Sequence, residues 1–145
     1  MNLLDVNVVL AAHRADHPLH DAVRPWFDEL LRRREPCAVP DVVWAAFIRI
    51  ATNRRIFTVP TPTAEAFAFL RAVRGQPGHV AITPGANHLA LFEQICRDSD
   101  ASGDLAADAY LAALAIEQGA TLVSFDRDFA RFRGLRWRLP PSFDS

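Results

Sequence analysis

Apolar residues along this chain fall into short unbroken runs that alternate with longer runs of helical spacing. The first run, NLLD at 2–5, reads as a buried strand with Asp5 at its C-terminal end, and VNVVLAAH continues from it as a short helix. His17-Pro18 opens an amphipathic stretch to about Arg34, in which Val23, Trp26, Phe27, Leu30 and Leu31 recur at helical intervals. Pro36 stops it. CAV is a short strand ending at Pro40, and Asp41 is placed as the N-cap of a helix through VVWAAFIRIATN. TVPTPT (58–63) predicts a loop, and AEAFAFLRAVR a helix closed by Gly75. Residues 79–83 are strand-like, Pro84 begins a helix to about Arg97, and DSDASG (98–103) is a turn. Residues 105–118 are apolar nearly all round, which predicts a buried helix with Asp104 as N-cap and Gly119 just past its end. Residues 121–124 form a β-branched buried strand leading to Asp126, and LRWRL (135–139) alternates like an edge strand.

Short buried strands alternating with helices predict an α/β layered fold with a mainly parallel sheet. The 145 residues, with no shift in composition, are read as one domain spanning 1–145. Half the residues are hydrophobic, including 10 Phe and 3 Trp, so the core needs no disulfide. Cys37 and Cys96, far apart in apolar surroundings, read as reduced core residues, which fits a cytoplasmic protein. MNLLDVNVVL has no basic flank and is interrupted by Asp5 and Asn7, so neither a signal peptide nor a membrane span is expected. A net charge of −1 says nothing about nucleic acid, but all 16 basic residues are arginine. Chemistry that needs a lysine is therefore excluded: P-loop NTPases, Schiff-base enzymes and aspartyl phosphotransferases.

The acids then become informative. Asp5 and Asp126 follow strands, and Asp108 is placed in the first turn of the buried helix, four residues after Asp104. In a parallel α/β sheet, strand C-termini and helix N-termini share one edge, where ligand sites form. Carboxylates meeting there raise one another's pKa unless a cation offsets them. Oxygen donors of this kind suit Mg²⁺ or Mn²⁺. Taken singly, Asp104 and Asp108 also read as helix caps or macrodipole partners, and Asp128 as the cap of a short terminal helix. Asp5 stands apart, because an acid in an apolar strand costs free energy unless something binds it. His13, His17 and His20 have zinc-like spacings but no fourth ligand, and helix capping explains them better.

LLDVNVVLAAH, DAYLAALAIEQGATLVSFDRDF and the GLRWR tail together resemble PIN-domain ribonuclease toxins of the VapC type, over essentially the whole chain. The resemblance implies a PIN-like three-layer α/β/α fold with a short, mainly parallel, twisted sheet. It implies Mg²⁺, with Mn²⁺ as substitute, held by Asp5, Asp108 and Asp126, supported by Asn7 and Ser124 and flanked by Asp128. The activity it implies is endonucleolytic hydrolysis of structured RNA, of the transfer or ribosomal class, by metal-activated water. A small VapB-type antitoxin and a second copy of the chain are the implied partners.

One position departs from the pattern. Many PIN domains carry a glutamate in the helix after the second strand, where this chain has Ala45 or Ala46. Asp104 is the expected substitute, since residues four apart on a helix share a face. The vacancy also leaves room for a degenerate PIN domain that binds RNA without cutting it. For RNA contact the candidates are Arg54, Arg55 and Arg133, within TNRRIF and RDFARFRGLRWR, because the guanidinium fork matches phosphate. Interleaved aromatics suit stacking on unpaired bases. Arg136 and Arg138, alternating with Leu135 and Trp137, are equally open to a purely structural use.

Overall fold

The computed structural model describes residues 1–33 and 35–141. Its elements are β1 (Asn2–Leu4), α1 (Val6–His13), α2 (His20–Arg32), β2 (Cys37–Ala38), α3 (Asp41–Ala51), α4 (Thr63–Arg74), α5 (His88–Ser99), α6 (Asp104–Glu117), β3 (Thr121–Val123), a 3₁₀ turn (Arg127–Arg131) and β4 (Arg136–Arg138). The four strands form a sheet in the order β2-β1-β3-β4, and every pairing is parallel. Leu3 faces Leu122 and Leu4 faces Val123 in register, and all four are fully buried. Such runs of consecutive buried apolar residues belong to strands covered on both faces.

The strand order positions the site. The chain leaves β1 outward to β2, then crosses back past β1 to reach β3, and leaves β3 in the other direction towards β4. Connections that diverge from two neighbouring strands open a crevice at their C-terminal ends. Asp5 and Ser124 are the first residues beyond β1 and β3 at that crevice. On α6, Ala109, Ala112, Ala113 and Ala115 are all fully buried, and small side chains allow the helix to lie close to its neighbours. Phe47, fully buried, gathers Trp44 and Phe69 with ring centroids 5.6 and 5.5 Å away, a second part of the core between α3 and α4.

Several boundaries differ from the sequence reading. Pro40, not Asp41, is the residue before α3, and Asp41 is the helix's first residue with no capping bond. Likewise Gly103 precedes α6 at φ 59°, ψ −130°, a backbone conformation open to glycine, so Asp104 is the first helical residue and Asp108 lies in the second turn. Residues 79–83 contribute one bridge, His79 to Cys37, and no strand. Beyond it, the Glu117 carboxylate accepts from the amides of Gly85 (2.7 Å) and Asn87 (3.1 Å), so α5 starts at His88 instead of Pro84. The amide of Leu19 donates to His17 Nδ1 (3.0 Å), and α2 starts at His20. The expected end of α2 at Arg34 lies outside the described residues. Gly119 takes φ 64° just past α6, and β4 lies at the sheet edge, both as the pattern requires.

Buried Gly78 shows how closely the segment before His79 approaches α2. A Cβ there would meet the main-chain oxygens of Arg33, Leu31 and Leu30 at 2.7, 2.8 and 2.9 Å. Backbone cannot swing aside as a flexible side chain does. Gly78→Ala is therefore expected to lower stability by about 1–3 kcal/mol, seen as a lower urea midpoint with an unchanged slope.

Candidate active site

Asp5 sits where β1 becomes α1. Its Oδ1 accepts from the amide of Val6 (2.7 Å), which makes it the cap of α1. Its Oδ2 accepts from the Ser124 hydroxyl (2.7 Å), across the β1–β3 seam. Ser124 is fully buried, and its Oγ also accepts from Asn7 Nδ2 (3.1 Å) and from the amide of Asp126 (3.0 Å). One donor and two acceptors exhaust a hydroxyl. Asn7 Oδ1 in turn accepts from the amide of Phe125 (3.2 Å). Asp126 Oδ1 accepts from the amide of Asp128 (2.9 Å), so Asp126, and not Asp128, caps the 3₁₀ turn. The two residues expected to support the site thus hold Asp5 and the approach to Asp126 in one connected network.

Asp108 enters from α6. Burial, followed by the charges of Asp126, Asp5, Asp128 and Asp104, pushes its carboxyl up to about 6. Burial likewise raises Asp5; hydrogen bonds from Ser124 and Val6 pull it back, and the charge of Asp126 adds to the rise. Asp5, Asp108 and Asp126 therefore share one electrostatic field, with Asp104 and Asp128 at its margin. Among the described residues no arginine pairs with Asp5, Asp104, Asp108 or Asp126, while Asp128 has Arg131 at 3.9 Å. No three acidic, histidine or cysteine side chains of the described residues stand close enough to enclose an ion as they are. The all-oxygen donor set and its uncompensated charge fit a hard divalent cation.

Asp41 is not part of this field. It lines a groove between α3 and α4 with Trp44, Ala45 and Arg74. The histidines serve local structure: His13 Nε2 bonds Thr61 Oγ1 (3.0 Å), and His20 Nδ1 bonds the Ala11 carbonyl (2.8 Å). Cys37 is buried, which pushes its thiol up to about 12, so it offers no thiolate.

The arginines divide by position. Arg54 and Arg55 are exposed in the turn after α3, whose first residue starts at the acidic edge. Eleven helical residues at about 1.5 Å each leave these two arginines at the far end of α3. That loop is tied down by Arg14, which donates to both Asp16 oxygens (2.8 and 2.7 Å), to the Val59 carbonyl (2.9 Å) and to Thr61 (3.2 Å). Arg133, with Arg131, Asp98 and Ser99, lines a cavity of about 80 Å³ at the C-terminal end of α5. Arg136 donates to the Gly119 carbonyl (2.6 Å) and Arg138 to Asn2 Oδ1 (3.1 Å), so both fasten the edge strand. The sequence reading missed Trp137 as a contributor. Its indole Nε1 donates to the Ser124 carbonyl (3.1 Å). The available signal was an amphipathic aromatic on the strand beside β3.

A family model for the PIN domain matches residues 3–135. Over 141 residues the chain is 56% identical to Ribonuclease VapC25 of Mycobacterium tuberculosis, covering 97% of this chain and 99% of that protein. It is 57% identical to Ribonuclease VapC31 of the same organism over 141 residues, with coverage of 97% and 99%. Among solved structures, a chain of VapBC2 from Rickettsia felis, bound to a DNA fragment from their promoter, superposes with a TM-score of 0.68 at 18% identity. That match covers 95% of this chain and 97% of the other, and it speaks to the fold.

The raised Asp108 carboxyl has a measurable consequence. Its folded pKa of about 6 lies above the ordinary 3.8, so the folded state keeps the proton longer and stability falls as pH rises from about 4 through about 6. In metal-free protein, Asp108→Asn should melt a few degrees above the parent at pH 7.5, with the difference vanishing near pH 4. Partial exposure keeps the effect small. Parallel melting curves at every pH would show that neither burial nor neighbouring charge raises the Asp108 carboxyl.

Proposed function

The chain belongs to the PIN-domain family, within its VapC group, and from that premise we propose that it is a metal-dependent endoribonuclease, the toxin of a type II toxin–antitoxin pair. The observation that carries this reading is the bonded network of Asp5, Asn7, Ser124 and Asp126 at the ends of β1 and β3, beside which burial and neighbouring aspartates raise the Asp108 carboxyl to about 6. A divalent cation is the natural counter-charge in a chain without lysine.

Asp5, Asp108 and Asp126 would hold Mg²⁺, or Mn²⁺ in its place, with Asp104 in the fourth position that Ala46 vacates. When bound, such an ion makes water nucleophilic and offsets the charge gathering on a phosphodiester. The chain's own groups supply the order. The Ser124 hydroxyl, fixed by Asn7, holds the Asp5 carboxylate, and the Asp128 amide holds that of Asp126. Arg133 meets the RNA backbone, with structured transfer or ribosomal RNA as substrate class. Arg54 and Arg55 contact a more distant part of such a large substrate.

The VapBC2 likeness supports a VapB-type antitoxin as partner. Val42, Phe67 and Leu89 leave exposed apolar helix surface for that contact and for a homodimer. Among the described residues no helix is long and apolar enough to cross a membrane, and a cytoplasmic location fits the proposed RNA substrate.

The purified protein should cleave end-labelled structured RNA with Mg²⁺ or Mn²⁺, lose the activity in chelator, and lose it again in Asp5→Ala. Tight RNA binding with no metal-dependent cleavage would instead favour a non-catalytic RNA-binding domain, the reading that the alanine at 46 keeps open. Asp104→Ala should weaken Mn²⁺ binding about tenfold by calorimetry, and unchanged affinity removes Asp104 from the site. Arg54→Ala with Arg55→Ala should flatten the salt dependence of RNA affinity by about one to two units of slope while cleavage of bound RNA keeps its rate.

A further inference from the structure

We propose that Trp137 is a positioning residue for the acidic site, acting on Asp126 through the peptide unit between Ser124 and Phe125. The inference rests on the reading of Asp5, Asp108 and Asp126 as a cation site.

The geometry concerns one peptide plane. Its carbonyl, on Ser124, accepts from the indole Nε1 of Trp137 (3.1 Å). Its N–H, on Phe125, donates to Asn7 Oδ1 (3.2 Å). The unit is therefore held from opposite sides, by α1 through Asn7 and by β4 through Trp137. It lies just beyond the last register pair of the ladder, Val123 with Arg138, where the regular strand bonding ends. The amide of Ser124 still donates to the Arg138 carbonyl (3.1 Å), so β4 grips this residue at both its N–H and its C=O.

The next residue along is Asp126, whose own amide is fixed to Ser124 Oγ. If the plane between Ser124 and Phe125 rotates, the chain swings Asp126 away from Asp5. Asn7 alone holds only one edge of that plane. Trp137 closes the other, and the edge strand that carries it is fastened by Arg136 to Gly119 and by Arg138 to Asn2. Metal sites are sensitive to such supporting bonds, whose loss commonly costs 10–100-fold in affinity or activity.

The test is Trp137→Phe in the full chain, which keeps an aromatic ring and removes the N–H donor. Mn²⁺ binding is measured by calorimetry on metal-free protein, and cleavage kinetics on the RNA found to be cut. The expected result is about a tenfold weaker Mn²⁺ affinity, a lower kcat, an unchanged KM for RNA and only a small loss in Tm. Val23→Ala in α2, at a buried residue that makes none of the bonds of the acidic network, is the control for stability alone and should keep the parent's Mn²⁺ affinity. Should Trp137→Phe not fold, benzothienyl-alanine at 137, with the same shape but sulfur in place of the N–H, takes its place. Parental Mn²⁺ affinity and kcat in the variant overturn the positioning role, as does an equal loss of affinity in Val23→Ala. If the parent protein itself binds no Mn²⁺, the cation reading fails and this inference falls with it.

Discussion

Carboxylates brought together repel one another, and much of this architecture serves to hold several of them at one crevice despite that. The restraint comes first from the parallel register of β1 and β3, which sets Asp5 and Ser124 side by side at the C-terminal edge. The Asp5–Ser124 bond then ties the two strand ends across 119 positions of sequence. Fully buried alanines let α6 lie against the sheet and deliver Asp108 to the same place. Burial first, and then the charge of neighbouring aspartates, raises the carboxyls of Asp5 and Asp108. Folding energy is thus stored as a local electrostatic cost that a cation would relieve.

A second constraint follows from the absence of lysine. Every cationic job falls to arginine, and the structure shows how many of those jobs are internal. Arg14 is buried with its guanidinium spread over Asp16, Val59 and Thr61 and stacked 3.7 Å from the centre of the Phe57 ring. Arg24 bonds the Ala12 carbonyl, and Arg136 and Arg138 hold the last strand. A planar fork with several donors suits this work better than a single ammonium. What remains at the surface is a smaller set than the count of arginines implies, and it includes Arg54, Arg55 and Arg133.

The parts of this arrangement legible in the sequence were those governed by local pattern. Buried strands, the αL glycine at 119 and the acid at the end of β1 follow from apolar periodicity and backbone chirality. The errors came where a distant partner or a backbone angle decides. Whether Asp104 or Gly103 precedes α6 depends on a conformation that no periodicity reports. The start of α5 depends on Glu117, some thirty residues away, capturing the Gly85 and Asn87 amides. Where Arg54 and Arg55 stand depends on the course of α3, which places them at its C-terminal end. Trp137 escaped notice because its ring reads as packing, whereas its contribution is one N–H.

The span of that Asp5–Ser124 bond also sets a time. Asp5 precedes β3 by more than a hundred residues, so β3 has no partner to offer until the chain has grown past Val123, and β4 follows later still. Contacts so far apart in sequence form late, after the loop between them has been closed. The acidic crevice therefore assembles only once the whole stretch from β1 to β4 is available. Until β3 and β4 are in place, Asp5 has no Ser124 hydroxyl to hold it, so the edge that gathers the acids is among the late parts of this fold to form.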